Sequence, residues 1–238
     1  MNQQEKIVSM FDNIARTYDV ANRVLSFGVD KSWRKEACDK TLAYYGKPQI
    51  DMILDVACGT GDMCEWWERR AQAKAIDVNE IYGIDPSAGM LDVAKKKGLN
   101  AKFIQAEAKD LPVNDNSADI LSISYGLRNV VDREEALQEF FRVLKPGGML
   151  TILEFTKPRK QTLASRIRDF YMKKVLPFIG GLLSKNFEAY HYLPNSIDRF
   201  LTTEKLVEEL EKTGFKVYEA KGYSMDISTL FIAAKPEA

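Results

Sequence analysis

The chain has 238 residues, the size of one α/β domain with an elaboration, and its 34 basic and 34 acidic side chains cancel to a formal net charge of zero. Without a positive excess there is no global attraction for a phosphate backbone, so nucleic acid is not an expected partner. At 45% hydrophobic and 29% charged residues, the composition is that of a globular protein with a sizeable core, neither disordered nor fibrous.

Three cysteines (Cys38, Cys58 and Cys64) without a repeated C-x-x-C pair, and a single histidine, His191, argue against a zinc site or a disulfide scaffold. No metal is expected. The amino terminus lacks the apolar core of a signal peptide, and the longest apolar stretch, Val175 to Leu183, is far shorter than the roughly 20 residues that cross a bilayer. The expectation is a cytoplasmic protein in a reducing compartment.

From Gln3 to Tyr45 the apolar positions recur at helical spacing, for example Val8, Phe11, Ile14 and Ala15, which predicts two or three helices and no strand. From Asp51 the pattern changes to short apolar runs separated by helical segments: Met52 to Val56, Ile81 to Ile84, Ala101 to Ile104, Ile120 to Ser124 and Met149 to Leu153. That alternation predicts a mostly parallel sheet with helices on both faces. Pro146-Gly147-Gly148 is read as a turn between a helix ending near Leu144 and the next strand. Lys157 to Phe200 departs from the alternation, is rich in aromatics, and is expected to be helical over one edge of the sheet. A helix from Glu204 to Lys212, stopped at Thr213-Gly214, precedes two strand-like runs, Phe215 to Ala220 and Ile227 to Ala233, expected to form an antiparallel hairpin. The chain thus reads as one domain: a helical cap (1–48), a cofactor-binding half (49–156), a helical lid (157–200), and a closing helix and hairpin (201–238).

The most informative motif is Leu54-Asp55-Val56-Ala57-Cys58-Gly59-Thr60-Gly61-Asp62, where the first strand meets a helix. Gly59 and Gly61 let a bound group approach the backbone beside a helix N-terminus. Asp85 ends the second strand, roughly 20 residues further on, where a carboxylate accepts the two hydroxyls of a ribose. A dinucleotide fingerprint requires a third glycine at position 64, where Cys64 stands. Asp55 and Asp62 would repel a pyrophosphate but suit a cationic amine or sulfonium. S-adenosylmethionine, with a ribose and an amino-acid end but no phosphate, is the better guest. Glu107 and Ala108, after the third strand, lie where an adenine is held in such a fold. Ser124, with the loop that carries Arg128 and Asn129, follows the fourth strand at the carboxyl edge where open α/β sheets bind ligands.

These residues resemble the ubiquinone/menaquinone biosynthesis C-methyltransferases, and the resemblance covers essentially the whole chain. Its narrowest pieces are Tyr18-Asp19 followed by Asn22, Leu25-Ser26 and Trp33, then Gly126-Leu127-Arg128-Asn129-Val130, and Arg142 to Gly148 running into Leu153-Glu154-Phe155. Ala21, Asp30, Glu107 and Thr156 depart from the residues usual in the family. The resemblance implies a Rossmann-like class I methyltransferase fold, with a seven-stranded, mostly parallel sheet whose C-terminal part holds an antiparallel strand. It implies cofactor positions at Thr60, Asp85, Glu107, Ala108 and Ser124, and a prenylated quinol as methyl acceptor. For the acceptor side, Arg128 and Asn129 are expected to orient the quinol, with His191 and Asp19 as candidate bases. Tyr18 is expected to close over the cofactor. Apolar and aromatic side chains, Tyr171, Phe178, Ile179, Leu182, Phe187, Tyr190 and Tyr192, are candidates for an isoprenoid channel, with weak, tail-dependent contact at a membrane surface. An oxygen- or nitrogen-directed methyltransferase and a non-catalytic cofactor-binding subunit are the alternative readings.

Overall fold

The computed structural model describes residues 1–157, 187–224 and 227–237. Two helices open the chain, α1 (Gln3–Leu25) and α2 (Val29–Tyr45). The first is started by a capping box in which Asn2 and Glu5 satisfy each other's backbone N–H groups. The alternating part follows as β1 (Gln49–Val56), α3 (Asp62–Ala73), β2 (Asp77–Asp85), α4 (Ala88–Lys95), β3 (Lys102–Gln105) and β4 (Ala118–Ser124). After a 3₁₀ turn at Leu127–Asn129 come α5 (Arg133–Val143), β5 (Leu144–Phe155), α6 (Phe187–Arg199), α7 (Thr203–Thr213), β6 (Lys216–Tyr223) and β7 (Ser228–Ala234).

The seven strands lie in the order β3-β2-β1-β4-β5-β7-β6. β7 runs antiparallel to both β5 and β6, and the other pairings are parallel. Strand order reverses between β1 and β4, so the crevice at their carboxyl ends is where such a sheet receives a ligand.

The period of two along each strand sorts the core. Leu54 and Leu121 point to the face covered by Leu137 and Phe140 of α5 and Leu206 and Leu210 of α7. Their neighbours Ile53 and Ile120 point to the other face, under Leu42 of α2 and Trp67 of α3. A smaller cluster of Ile14, Ala15, Ala21 and Leu25 from α1 packs on Met90 of α4, with Leu193 and Ile197 of α6 against it. The larger of these side chains, Ile14, Leu25 and Met90, contribute about 1.5–3 kcal/mol each when taken from water, which docks α1 on α4.

One expected boundary differs. Leu144 already pairs with Ala118, and the next pair is Ile120 with Met149, so Pro146-Gly147-Gly148 is a bulge within β5 rather than a turn before it. The bulge is held from outside: the Gly147 N–H donates to the Lys235 carbonyl at 2.8 Å and the Lys235 N–H to the Gly148 carbonyl at 3.0 Å. Residues 158–186 of the expected lid, with Tyr171, Phe178, Ile179 and Leu182, lie outside the described residues, as do the side chains of Phe187, Tyr190 and His191.

Candidate active site

A cleft of about 770 Å³, part of it open to solvent, sits at the switch point. Its floor is Ala57 and Gly59 after β1 and Ser124, Tyr125 and Gly126 after β4; one wall is Asp85, Pro86 and Ser87 after β2 with Glu107 and Ala108 after β3. Helix α1 closes it with Ile7, Val8, Phe11 and Tyr18. Of the residues expected from sequence, Tyr18, Gly59, Asp85, Glu107, Ala108, Ser124 and Asn129 line this cleft. The contribution of Ile7, Val8 and Phe11 is not legible from sequence, since helical spacing shows that they share a face but not what the face meets.

Both loops at the floor carry strain. Ala57 and Tyr125, neither a glycine, adopt φ values of +50° and +59°, a region that costs an L residue about 1–2 kcal/mol. The loops also touch closely: a Cβ on Gly126 would stand 2.5 Å from the Cβ of Ala57. Gly126→Ala is therefore expected to part the two loops, lowering stability by about 1–3 kcal/mol. Thermal unfolding checks the stability, and calorimetry with S-adenosylmethionine should show weakened affinity.

The two glycines of the loop have already spent their N–H groups. The Gly59 N–H donates to Asp85 Oδ2 at 2.8 Å, and the Gly61 N–H donates to the Cys58 carbonyl at 2.9 Å. A pyrophosphate cradle needs those N–H groups pointing at the ligand. The charged side chains lining the cleft are Asp85, Glu107, Asp132 and Lys109, and the lysine is ion-paired with Asp132 and 3.9 Å from Glu107. With Lys109 and Asp132 cancelling each other, Asp85 and Glu107 leave the lining net negative, which favours a cationic guest and opposes a phosphorylated one.

Asp85 is buried and also accepts the Ser87 N–H at 2.8 Å. Burial raises its carboxyl and the two N–H bonds lower it, leaving it at about 6. Each of its oxygens has capacity for a further hydrogen bond, which is what a ribose diol requires.

A chain of alternating charges ties α1 and α2 to this floor. Thr60 Oγ1 donates to Asp19 Oδ1 at 2.5 Å; Lys97 lies 2.8 Å from both Asp19 and Asp62; Arg23 bridges Asp62 and Asp30. Arg34 ends the chain, donating to Ser124 Oγ at 2.6 Å with its guanidinium 5.1 Å over the Tyr125 ring. Burial alone would raise the Asp62 carboxyl, and Arg34, Lys97 and Arg23 together hold it at about 2. Asp30, a departure from the usual family residue, is what anchors Arg23 here. Asp62 thus serves the cap as a charged hinge point, beyond its place in the first turn of α3.

Asp55 does not reach the cleft. It is 1% exposed, beneath the glycine loop, accepting the Ser122 hydroxyl at 2.7 Å with Cys64 Sγ at 3.7 Å. Burial, opposed by Ser122 and Arg34, pushes its carboxyl up to about 7. A raised carboxyl binds its proton more tightly in the folded state, so stability falls as pH rises from about 4, the unfolded value, to about 7. Asp55→Asn keeps the Ser122 bond while turning an amide toward Cys64, and is expected to gain about 1–2 kcal/mol at pH 8 and nothing at pH 4. Denaturant unfolding at the two pH values tests this; equal effects at both would contradict it.

Behind the β4 loop, Arg128 is 6% exposed at its side chain and ion-paired at 2.7 Å with Glu154, which is fully buried. Arg128 also donates to the Tyr125 carbonyl at 2.5 Å and to Ser196 Oγ of α6 at 3.2 Å. Its neighbour Asn129 faces the cleft and accepts the Tyr192 hydroxyl of α6 at 3.1 Å. The Arg128-Asn129 pair therefore joins the cofactor floor to the helix that carries His191.

The model of the ubiE/COQ5 methyltransferase family matches residues 1–235. The chain belongs to that family. It is 53% identical over 235 residues to the ubiquinone/menaquinone biosynthesis C-methyltransferase UbiE of Campylobacter jejuni, covering 99% of this chain and 100% of that protein. It is 40% identical over 208 residues to the demethylmenaquinone methyltransferase of Thermotoga maritima, covering 87% of each. A solved S-adenosylmethionine-dependent methyltransferase from Aquifex aeolicus superposes with a TM-score of 0.57 at 18% identity, over 83% of this chain and 89% of that one, which shows a shared fold. The class I methyltransferase fold, the enzyme class and S-adenosylmethionine as co-substrate stand as the sequence reading has them. The cleft fits that co-substrate by charge, by its carboxylate for a diol and by its spent loop donors.

Proposed function

We propose that this methyltransferase methylates a ring carbon of a prenylated quinol in respiratory quinone biosynthesis, taking demethylmenaquinol to menaquinol. The observation that carries the reading is the end-to-end likeness to a C-methyltransferase of quinone biosynthesis, set on a cleft suited to a cationic, phosphate-free donor.

Bound S-adenosylmethionine supplies an electrophilic methyl group. Asp85 holds the ribose diol, Glu107 and Ala108 take the adenine side, and Gly59 and Ser124 form the floor, with Gly61 turning the loop behind them. Tyr18 and the Thr60–Asp19 bond keep α1 closed and water out, and an aromatic face beside a cation favours it by about 0.5–2 kcal/mol. On the acceptor side Asn129 orients the quinol and Arg128 acts as a positioning residue, its guanidinium fixed by Glu154. The ring carbon gains the methyl as the sulfur–carbon bond breaks, and the proton displaced from that carbon leaves to a base. His191, on the helix whose Tyr192 reaches Asn129, is the candidate for that proton, since its free pKa of about 6.5 suits neutral pH. Asp19 is committed to Thr60 and Lys97 and serves cap closure instead.

The ring carbon is nucleophilic only when a ring hydroxyl can release electron density, so the quinol reacts and the quinone does not. The test is mass spectrometry of purified protein with S-adenosylmethionine and demethylmenaquinone, chemically reduced or left oxidised. Methylation in the reduced sample alone is expected. Cofactor binding with no product from either sample, or methylation of an unrelated oxygen or nitrogen acceptor in their place, would overturn the reading.

A further inference from the structure

In the chain of charges between the cap and the floor, both oxygens of every carboxylate already have donors. Asp19 takes Thr60 Oγ1 and Lys97, Asp62 takes Lys97 and Arg23, and Asp30 takes Ser26 Oγ and Arg23. Arg34, at the end of that chain, is left over. Its side chain is 8% exposed, yet among the described residues its guanidinium donates one hydrogen bond, to Ser124 Oγ at 2.6 Å. Its Nε is buried with no hydrogen-bond partner, and Asp30 Oδ2 stands 3.7 Å from it, held by Arg23. A guanidinium carries five N–H donors, and a buried one left short of acceptors calls for an anion that the chain itself does not supply.

The position of this cation says which anion. Ser124 lines the cleft, and Arg34 stands behind it with its guanidinium 5.1 Å over the Tyr125 ring. Burial raises the Asp62 carboxyl, and Arg34 is first among the cations that hold it down, so the charge lies where the glycine loop, the β4 loop and the cap meet. That is across the floor from Asp85 and the ribose. The amino-acid end of S-adenosylmethionine carries a carboxylate as well as an ammonium, and the other cations near the floor are committed: Lys109 to Asp132, Lys97 to Asp19 and Asp62, and Arg128 to Glu154.

We propose that Arg34 is the carboxylate-binding residue of the co-substrate site, its guanidinium receiving the α-carboxylate of S-adenosylmethionine. The Ser124 hydroxyl keeps the guanidinium at the floor, and the bound carboxylate fixes the methionine end and with it the direction of the sulfonium methyl. This role rests on S-adenosylmethionine as co-substrate and is independent of the methyl acceptor.

Isothermal titration calorimetry of the full chain with S-adenosylmethionine and with its decarboxylated analogue, which keeps the sulfonium and the amine, separates this role from a structural one. The wild type should bind the analogue about a hundredfold more weakly, the loss of charge-assisted hydrogen bonds from a fork. Arg34→Met should bind S-adenosylmethionine about a hundredfold more weakly than the wild type does, but the analogue within about threefold of the wild-type value, so that the preference for a carboxylate disappears. Arg34→Lys keeps a charge without the fork and should retain a preference of about tenfold, which also serves as the test if the methionine variant fails to fold. An undiminished preference in either variant overturns the proposal, another group then holding the carboxylate. Equal losses for both ligands overturn it as well and make Arg34 a support of the floor alone. A wild type that binds both ligands alike contradicts any cation at the carboxylate, and one that binds neither overturns the donor site itself.

Discussion

Asp85→Asn is expected to weaken binding of S-adenosylmethionine about a hundredfold. Two charge-assisted hydrogen bonds to the ribose are at stake, each worth about 1.5–3 kcal/mol. The amide would also set a donor against one of the two N–H groups, of Gly59 or Ser87, that the carboxylate accepts at 2.8 Å, so the floor of the cleft loosens as the diol loses its partner. The wild-type affinity should depend on pH in a defined direction. The carboxyl stands at about 6 in the ligand-free protein, and only the ionised form accepts both hydroxyls. Affinity should therefore be flat above pH 7 and fall about tenfold per unit below pH 6, whereas Asp85→Asn shows no such limb. Isothermal titration calorimetry from pH 5 to 8 measures both effects, and an Asp85→Asn affinity within about threefold of wild type would remove Asp85 from the diol.

Glu154→Ala is expected to cost about 3–5 kcal/mol of stability, because it leaves the Arg128 guanidinium buried without its counter-charge. The carboxylate also accepts the Arg128 N–H at 3.0 Å and the Phe155 N–H at 2.8 Å, so the β4 loop and the end of β5 are released together. At about 2–4 °C per kcal/mol for a chain of this size, the midpoint of thermal unfolding should fall by about 10 °C. The contrast is Asp115, paired with Arg142 at 2.5 Å but 70% exposed at its side chain. That pair has equally good geometry in high dielectric, and Asp115→Ala should cost about 1 kcal/mol or less. A Glu154→Ala loss no greater than that of Asp115→Ala would contradict the buried pair as the fastening of this loop. Because Arg128 and Asn129 connect to Ser196 and Tyr192 of α6, the milder Glu154→Gln should raise KM for the quinol more than KM for the co-substrate.

The sequence carried the sheet well, because most of its strands are short apolar runs bounded by turn chemistry, and such signals are local. It placed the glycine loop and Asp85 at the crevice for the same reason. What it missed is set by contacts between distant residues. Pro146-Gly147-Gly148 has the chemistry of a turn, and only its hydrogen bonds to Lys235 make it a bulge. Asp55 sits in the motif as though beside the ligand, yet it follows the inward face of β1 and ends beneath the loop on Ser122. Arg128 reads as a loop cation free to orient the quinol, and only the pairing of β4 with β5 brings buried Glu154 beside it. Asp12 belongs to no motif, and it accepts the Ser87 hydroxyl at 2.6 Å and the Gly89 N–H at 2.9 Å, joining α1 to the start of α4.

The measurement that tests the central claim most directly is carbon NMR of the product formed from methyl-labelled S-adenosylmethionine and reduced demethylmenaquinone. The account predicts a single labelled methyl bonded to a ring carbon, with both ring hydroxyls free. A labelled methyl on oxygen would show that the family's fold and donor site serve a different transfer here.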